Sequence, residues 1–159
     1  MFFGKNNKIN FHPVLNGIPV DWVSEWKYLG VTLKSGSQFS CSVTERVKSF
    51  YRSLNSILRV EGRSDDMVLL QLIETHCIPI LTYAIEIVEV THRDEKRSLR
   101  VAYNSVFCKL FGYRIFESVT NLQHSLSRMT WEELVDKRRK GFMNRARLCN
   151  PDSLVRAFC

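Results

Sequence analysis

The sequence predicts a mainly α protein: a small N-terminal β-hairpin followed by a bundle of about six helices. Three observations carry this. An Asn16-Gly17 pair stands between short apolar runs in Pro13–Val20. After Ser40 the apolar period changes from two to about 3.6 residues. Residues that start or stop helices (Ser64, Pro79, Gly112, Thr130, Pro151) then recur at helix-length intervals.

Taken in order, Asn-Gly between apolar runs is a strong hairpin signal, because both residues tolerate positive φ. Lys27 to Leu33, rich in aromatic and β-branched residues, reads as a second strand. Val43, Val47, Phe50, Tyr51, Leu54, Ile57 and Leu58 share one face of a first helix that Gly62 ends. The second helix starts at Ser64, whose side chain can cap, with Asp65 and Asp66 in its first turn, where the helix dipole favours negative charge. It is apolar on nearly all sides through Cys77, the pattern of a central core helix. Pro79 breaks or kinks it, and Ile80–Val90 continues as a short helix. A long helix runs from about Arg93 to Phe111 with Leu99, Tyr103, Val106 and Leu110 inward, and Gly112 ends it. A shorter helix spans about Ser118 to Ser127. Thr130-Trp131-Glu132-Glu133 is a capping box opening a helix that runs to about Cys149 and stops at Asn150-Pro151, before a last turn over Ser153–Phe158.

The chain has 159 residues, 45% of them apolar, enough for a real core. Its net charge of +7 and pI near 9.3 favour an acidic partner, nucleic acid first and an anionic membrane second. Charge is unevenly placed. Ser40–Val60 is net +3, Arg93–Arg114 is net +4, and Glu61–His92 is net −5. Five cysteines stand singly, with no CxxC pair, which argues against a disulfide scaffold and for a reducing compartment. His76-Cys77 alone does not make a zinc site. Met67–Val90 is long enough to suggest a membrane span, but Gln71, Glu74, His76, Glu86 and Glu89 make it too polar for lipid. The start has no basic n-region with a long apolar core, so no signal peptide is expected.

No complete active site is visible and no catalytic residue is assigned. There is no Gly-rich phosphate loop, and the position of Asp65-Asp66 at a helix start accounts for it without a metal. The candidates are for binding. Lys48, Arg52, Asn55 and Arg59 fall within about 60° of each other on the first helix, opposite its apolar face. They span about 16 Å, a length that can follow phosphates along a strand or serve simply as a solvated face. Lys137-Arg138-Arg139-Lys140 is the densest basic block. Arg138 points to the Trp131/Val135/Phe142 side, where it pairs or snorkels, leaving Lys137, Lys140, Asn144 and Arg147 outward.

One stretch, Trp26-Lys27-Tyr28-Leu29-Gly30-Val31, together with Ile78-Pro79-Ile80-Leu81-Thr82-Tyr83, resembles the C-terminal part of reverse transcriptases of non-LTR retrotransposons (LINE-like, jockey- and CR1-like elements). Met129–Leu134 looks like the C-terminal extension of such proteins, and Met1-Phe2-Phe3-Gly4 like the strand that follows their catalytic turn. The resemblance implies that residues 1–39 are the end of a palm with a primer-grip-like hairpin, 40–114 a thumb-like bundle, and 115–159 a helical extension. It implies that Trp26 and Tyr28 offer flat faces, Lys27 a cation and Gly30 a close backbone approach to nucleic acid, with packing under the hairpin as the other use of the two aromatic rings. The family's catalytic carboxylates lie upstream in a Tyr/Phe-Ala-Asp-Asp turn that this chain does not contain. No cofactor is therefore expected in this chain, Mg²⁺ belonging to the missing palm. The implied partners are an RNA–DNA or primer–template duplex and the palm and fingers, with no membrane. The implied place is intracellular, in cytoplasm and nucleus. The other reading is a relic helical domain serving as a protein-interaction or structural module.

Overall fold

A computed structural model describes residues 12–37, 39–60, 65–88, 92–114 and 116–148, together with Met1 and Val90. The expectations at Phe2–Gly4, Gly62, Ser64, Asn150-Pro151 and 153–158 lie outside these residues. The fold is mainly α, with two small antiparallel sheets at its N-terminal end.

The hairpin signal is realised. Strands β1 (Val14–Leu15) and β2 (Ile18–Pro19) are joined through Asn16 at φ 50° and Gly17 at φ 80°. Both values lie in the left-handed region that a two-residue hairpin turn requires. The expected single strand from Lys27 to Leu33 is corrected. It folds in two as β3 (Glu25–Tyr28) and β4 (Val31–Lys34), turning at Leu29 (φ 45°) and Gly30 (φ 78°). Leucine rarely enters that region, so Gly30 is the sole residue of the pair whose preference suits the turn. A tertiary contact holds it: the Tyr83 hydroxyl donates to the Leu29 carbonyl at 2.8 Å. A Cβ on Gly30 would lie 3.3 Å from the Tyr83 ring. Strand β5 (Ser40–Ser42) pairs with the other side of β4, giving the order β3-β4-β5 and carrying the sheet across residues 39 and 40.

Six helices follow among the described residues. Helix α1 spans Thr44–Val60 and α2 spans Asp66–His76. The cap of α2 is Asp65 rather than Ser64, its carboxylate accepting from the Met67 amide at 2.8 Å. Helix α3 is only Ile78–Thr82, with Pro79 in its first turn, where a missing amide hydrogen costs nothing. The expected helix from Ile80 toward Val90 stops at Thr82. The chain leaves at Tyr83 (ψ 127°), passes through Ala84 at φ 54°, and runs as turns to Ile87. Helix α4 (Arg93–Phe111) ends at Gly112 in the left-handed conformation (φ 72°), as the sequence predicts. Helix α5 is Thr120–Ser125, shorter than expected, and α6 is Trp131–Arg147. The capping box is present: the Glu133 amide donates to Thr130 Oγ1 at 3.3 Å and the Thr130 amide to Glu133 Oε2 at 2.8 Å.

The main core joins Phe50 and Leu54 of α1, Leu70 and Ile73 of α2, Leu81 of α3, and a long stripe of α4. It continues through Val119 to Trp131, so one core crosses residues 114 and 115. The expectation that α2 is the central core helix is also corrected. Met67 and Val68 are 44% and 53% exposed, and α4, with six buried residues against three on α2, is the central helix. A second small cluster, Val31, Cys41 and Val88 with Leu33 and Ala84, fixes the three-stranded sheet to the turn after α3. No helix among the described residues is long and apolar enough to cross a membrane.

Two outcomes are expected. The buried Tyr103 hydroxyl donates to the Met129 carbonyl at 2.7 Å, and burial, reinforced by Glu74, pushes its pKa from 10.0 to about 12. The folded chain thus keeps a proton that the unfolded chain releases. Its contribution is full below pH 10 and is lost as pH rises through about 12. Tyr103→Phe should cost about 1 kcal/mol at neutral pH and remove this part of the alkaline loss, read from urea midpoints across pH. Gly30→Ala should cost about 1–2 kcal/mol through backbone strain alone, with the Tyr83 ring displaced as well. Faster amide exchange confined to β3 and β4 would register it, and unchanged exchange would count against the turn.

Candidate nucleic-acid interface

Helix α1 turns Phe50 and Leu54 into the core, which leaves Lys48, Arg52, Asn55 and Arg59 exposed on its far side. The row is not a bare line of cations. Lys48 Nζ donates to Glu45 Oε1 at 2.8 Å, one turn earlier on the same helix. Asn55 Oδ1 accepts from Lys109 Nζ of α4 at 2.8 Å, and the same ammonium lies 5.8 Å from the centre of the Tyr51 ring. Lys109 is thereby a member of the row, held in place by an amide and an aromatic face. Sequence reasoning missed it, because Asn55 and Lys109 are 54 positions apart.

The sheet adds a further cation. All four residues of β3 are exposed, with Trp26 at 58% and Tyr28 at 61%. Alternation puts these two rings on one face and Lys27 on the other. Lys27 lies on the α1 side. Glu45 is held below the usual carboxylate range first by its hydrogen bond and charge attraction to Lys48, then by Arg52 and Lys27. Three expected residues from two elements, Lys27, Lys48 and Arg52, therefore act on one carboxylate, Lys48 by direct contact. Gly30 stands differently. The side on which a nucleic-acid backbone was expected to come close is occupied by Tyr83.

The basic block on α6 is not continuous with this surface. Helix α6 packs against α4. Lys137, Lys140 and Arg147 are exposed, and Lys140 is paired with Asp136 at 2.6 Å. Arg138 turns inward as the sequence suggests, pairing with Glu86 at 3.1 Å, and Arg139 Nε donates to the Ile85 carbonyl at 3.4 Å. Helix α4 carries another set of cations, Arg93, Lys96, Arg97 and Arg100, at i, i+3, i+4 and i+7. At about 100° per residue they lie on the opposite flank of α4 from Lys109.

Cys41, Cys77 and Cys108 are buried, and burial pushes each thiol up, away from the reactive thiolate. No group of three or more His, Cys, Asp or Glu side chains is gathered to hold a metal ion among the described residues. Compared with family models, curated proteins and solved structures, the chain matches none.

Glu45 is the one carboxylate ion-paired within the row among the described residues. Glu45→Gln should release Lys48 and strengthen binding to a nucleic-acid duplex, with a salt slope steeper by about one counterion. Unchanged or weaker binding, measured by fluorescence anisotropy against salt concentration, would mean that phosphate does not contact this face.

Proposed function

We propose that this chain binds a primer–template or RNA–DNA duplex through the α1 face, as the C-terminal part of a non-LTR retrotransposon reverse transcriptase: palm end, thumb and extension. The observation that carries the proposal is the outward row Lys48, Arg52, Asn55 and Arg59, extended by Lys109 of α4 and bordered by Lys27 of β3. Such a row runs along one exposed helix for about 16 Å, and side chains of this kind meet phosphate and sugar rather than base edges. The exposed rings of Trp26 and Tyr28 suit stacking or contact at a primer end. Polymerisation of this type uses carboxylates that hold two metal ions. The resemblance puts them in a palm outside this chain, so the role proposed here is binding and positioning, in the cytoplasm and nucleus.

A second reading, a relic module that binds no nucleic acid, draws on one specific observation. The Glu45–Lys48 pair and the Lys109–Asn55 bond already satisfy part of the row internally, as on an ordinary solvated helix face.

The two readings part on salt dependence. Binding to an RNA–DNA hybrid should be indifferent to sequence. Lys48, Arg52 and Arg59 together should contribute about −2 to −3 to the slope of log K against log salt. Replacing the three with alanine should flatten the slope by that amount and leave the circular dichroism unchanged, because none of them enters the core. A triple variant with the parent's slope would favour the module.

A further inference from the structure

A cleft of about 830 Å³ opens between the first half of α4, the start of α6, and Ile85 and Val90. Five cations line it: Arg93, Lys96, Arg97 and Arg100 from α4, and Arg139 from α6. Its floor is apolar, formed by Ile85, Leu99 and Trp131, all buried. The two carboxylates at its wall are Asp94 and Glu132. Only one of the five cations is ion-paired among the described residues, Arg100 with Glu132 at 3.6 Å. Arg139 is held by the Ile85 carbonyl. Arg93, Lys96 and Arg97 have no carboxylate within ion-pair distance among the described residues.

Asp94 and Glu95 in the first turn suit the helix dipole. Arg93, Lys96, Arg97 and Arg100 stand three and four residues apart on one flank, where like charges repel along a helix. The cleft therefore gathers like charge on a single side of α4. It is also unlike the α1 face. That face is an open row about 16 Å long, whereas Arg93 to Arg100 span about 10 Å and Arg139 closes on them from a second helix. An extended strand suits the first geometry. A compact polyanion suits the second.

We infer that this cleft binds a small ligand carrying adjacent phosphate groups, with Arg93, Lys96 and Arg97 as its principal contacts and Arg139 closing the far side. Charge-assisted hydrogen bonds from guanidinium groups give such a site its selectivity for clustered phosphates. The volume is that of an ordinary small-molecule site. The inference is independent of the duplex proposal, because it rests on the other flank of α4.

The test is calorimetric titration of the full chain with inorganic tripolyphosphate, orthophosphate and a nucleoside triphosphate. Tripolyphosphate should bind one to one, at least about tenfold more tightly than orthophosphate. Tighter binding of the nucleoside triphosphate would identify a nucleotide as the source of the phosphates, and equal binding a ligand recognised by phosphate alone. Arg93→Ala with Arg97→Ala should weaken tripolyphosphate binding by at least about tenfold. Lys96→Gln should weaken it less. Lys48→Ala with Arg59→Ala should leave it unchanged. Without ligand, the Arg93/Arg97 variant should melt at the same or a higher temperature, since alanine favours the helix and relieves the like-charge repulsion. The inference is overturned by a lack of saturable binding, by equal affinity for orthophosphate, by equal loss in the α1 variant, or by a lower melting temperature in the Arg93/Arg97 variant.

Discussion

The turn that follows α3 is the joint on which both halves of the molecule rest. Pro79 starts a short helix, and the chain leaves it after Thr82 instead of continuing. The six residues that follow face two ways. Toward the sheet, Tyr83 bonds the Leu29 carbonyl, and Ala84 and Val88 pack with Val31, Leu33 and Cys41. Toward the bundle, Ile85 enters the main core, while Glu86 and the Ile85 carbonyl hold Arg138 and Arg139 of α6. Ala84 sits at φ 54°, a conformation that costs a non-glycine residue about 1–2 kcal/mol. The bonds on both sides offset that cost. A three-stranded sheet with most of its outer strand exposed would be marginal alone. Here this loop, together with the Lys34–Glu95 pair at 3.7 Å, fastens it to a helical core.

Around this joint the charges are sorted by helix flank. Helix α4 turns its middle face into the core and carries cations on both remaining sides. Lys109 reaches α1 on one side, and the Arg93–Arg100 set faces α6 on the other. The acidic segment before α4 supplies the counter-charges that hold the bundle, Glu74 to Arg128 at 2.6 Å and Glu86 to Arg138 at 3.1 Å. Both pairs are partly shielded from water, so they resist screening by salt better than the exposed Glu45–Lys48 pair does. Structural ion pairs and open cations thus occupy different layers, and ionic strength acts mainly on the open ones.

Features encoded by neighbours in the chain were legible in the sequence; those encoded by distant partners were not. The Asn16-Gly17 turn, the Thr130/Glu133 capping box and the Gly112 stop depend on residues within four positions and were read correctly. The inward turn of Arg138 followed from helical spacing alone. The Leu29-Gly30 turn was not readable, because leucine rarely takes a positive φ and the group that holds the turn, Tyr83, lies 54 residues away. The same separation hid Lys109 beside Asn55. The end of α3 was missed because Tyr83 to Val90 keeps an apolar spacing that suits a helix or a packed turn equally. The α4 cations were visible as net charge, but only the placement of α6 makes a cleft of them.

The outer edge of the three-stranded sheet has a consequence for the protein as a colloid. Strand β3 is last in its sheet, so one side of its backbone has no neighbouring strand within that sheet. Its two aromatic rings stand more than half exposed. An edge of this composition invites another strand to add to it. Glu25 and Lys27 alternate with the rings, and charged side chains on an edge strand, lysine above all, disfavour the addition of another strand. Lys27 is thus a guard as well as a cation facing α1. Exchanging it for a neutral residue alters how long the chain stays dispersed at high concentration, and any study of its binding role has to separate that effect from a loss of affinity.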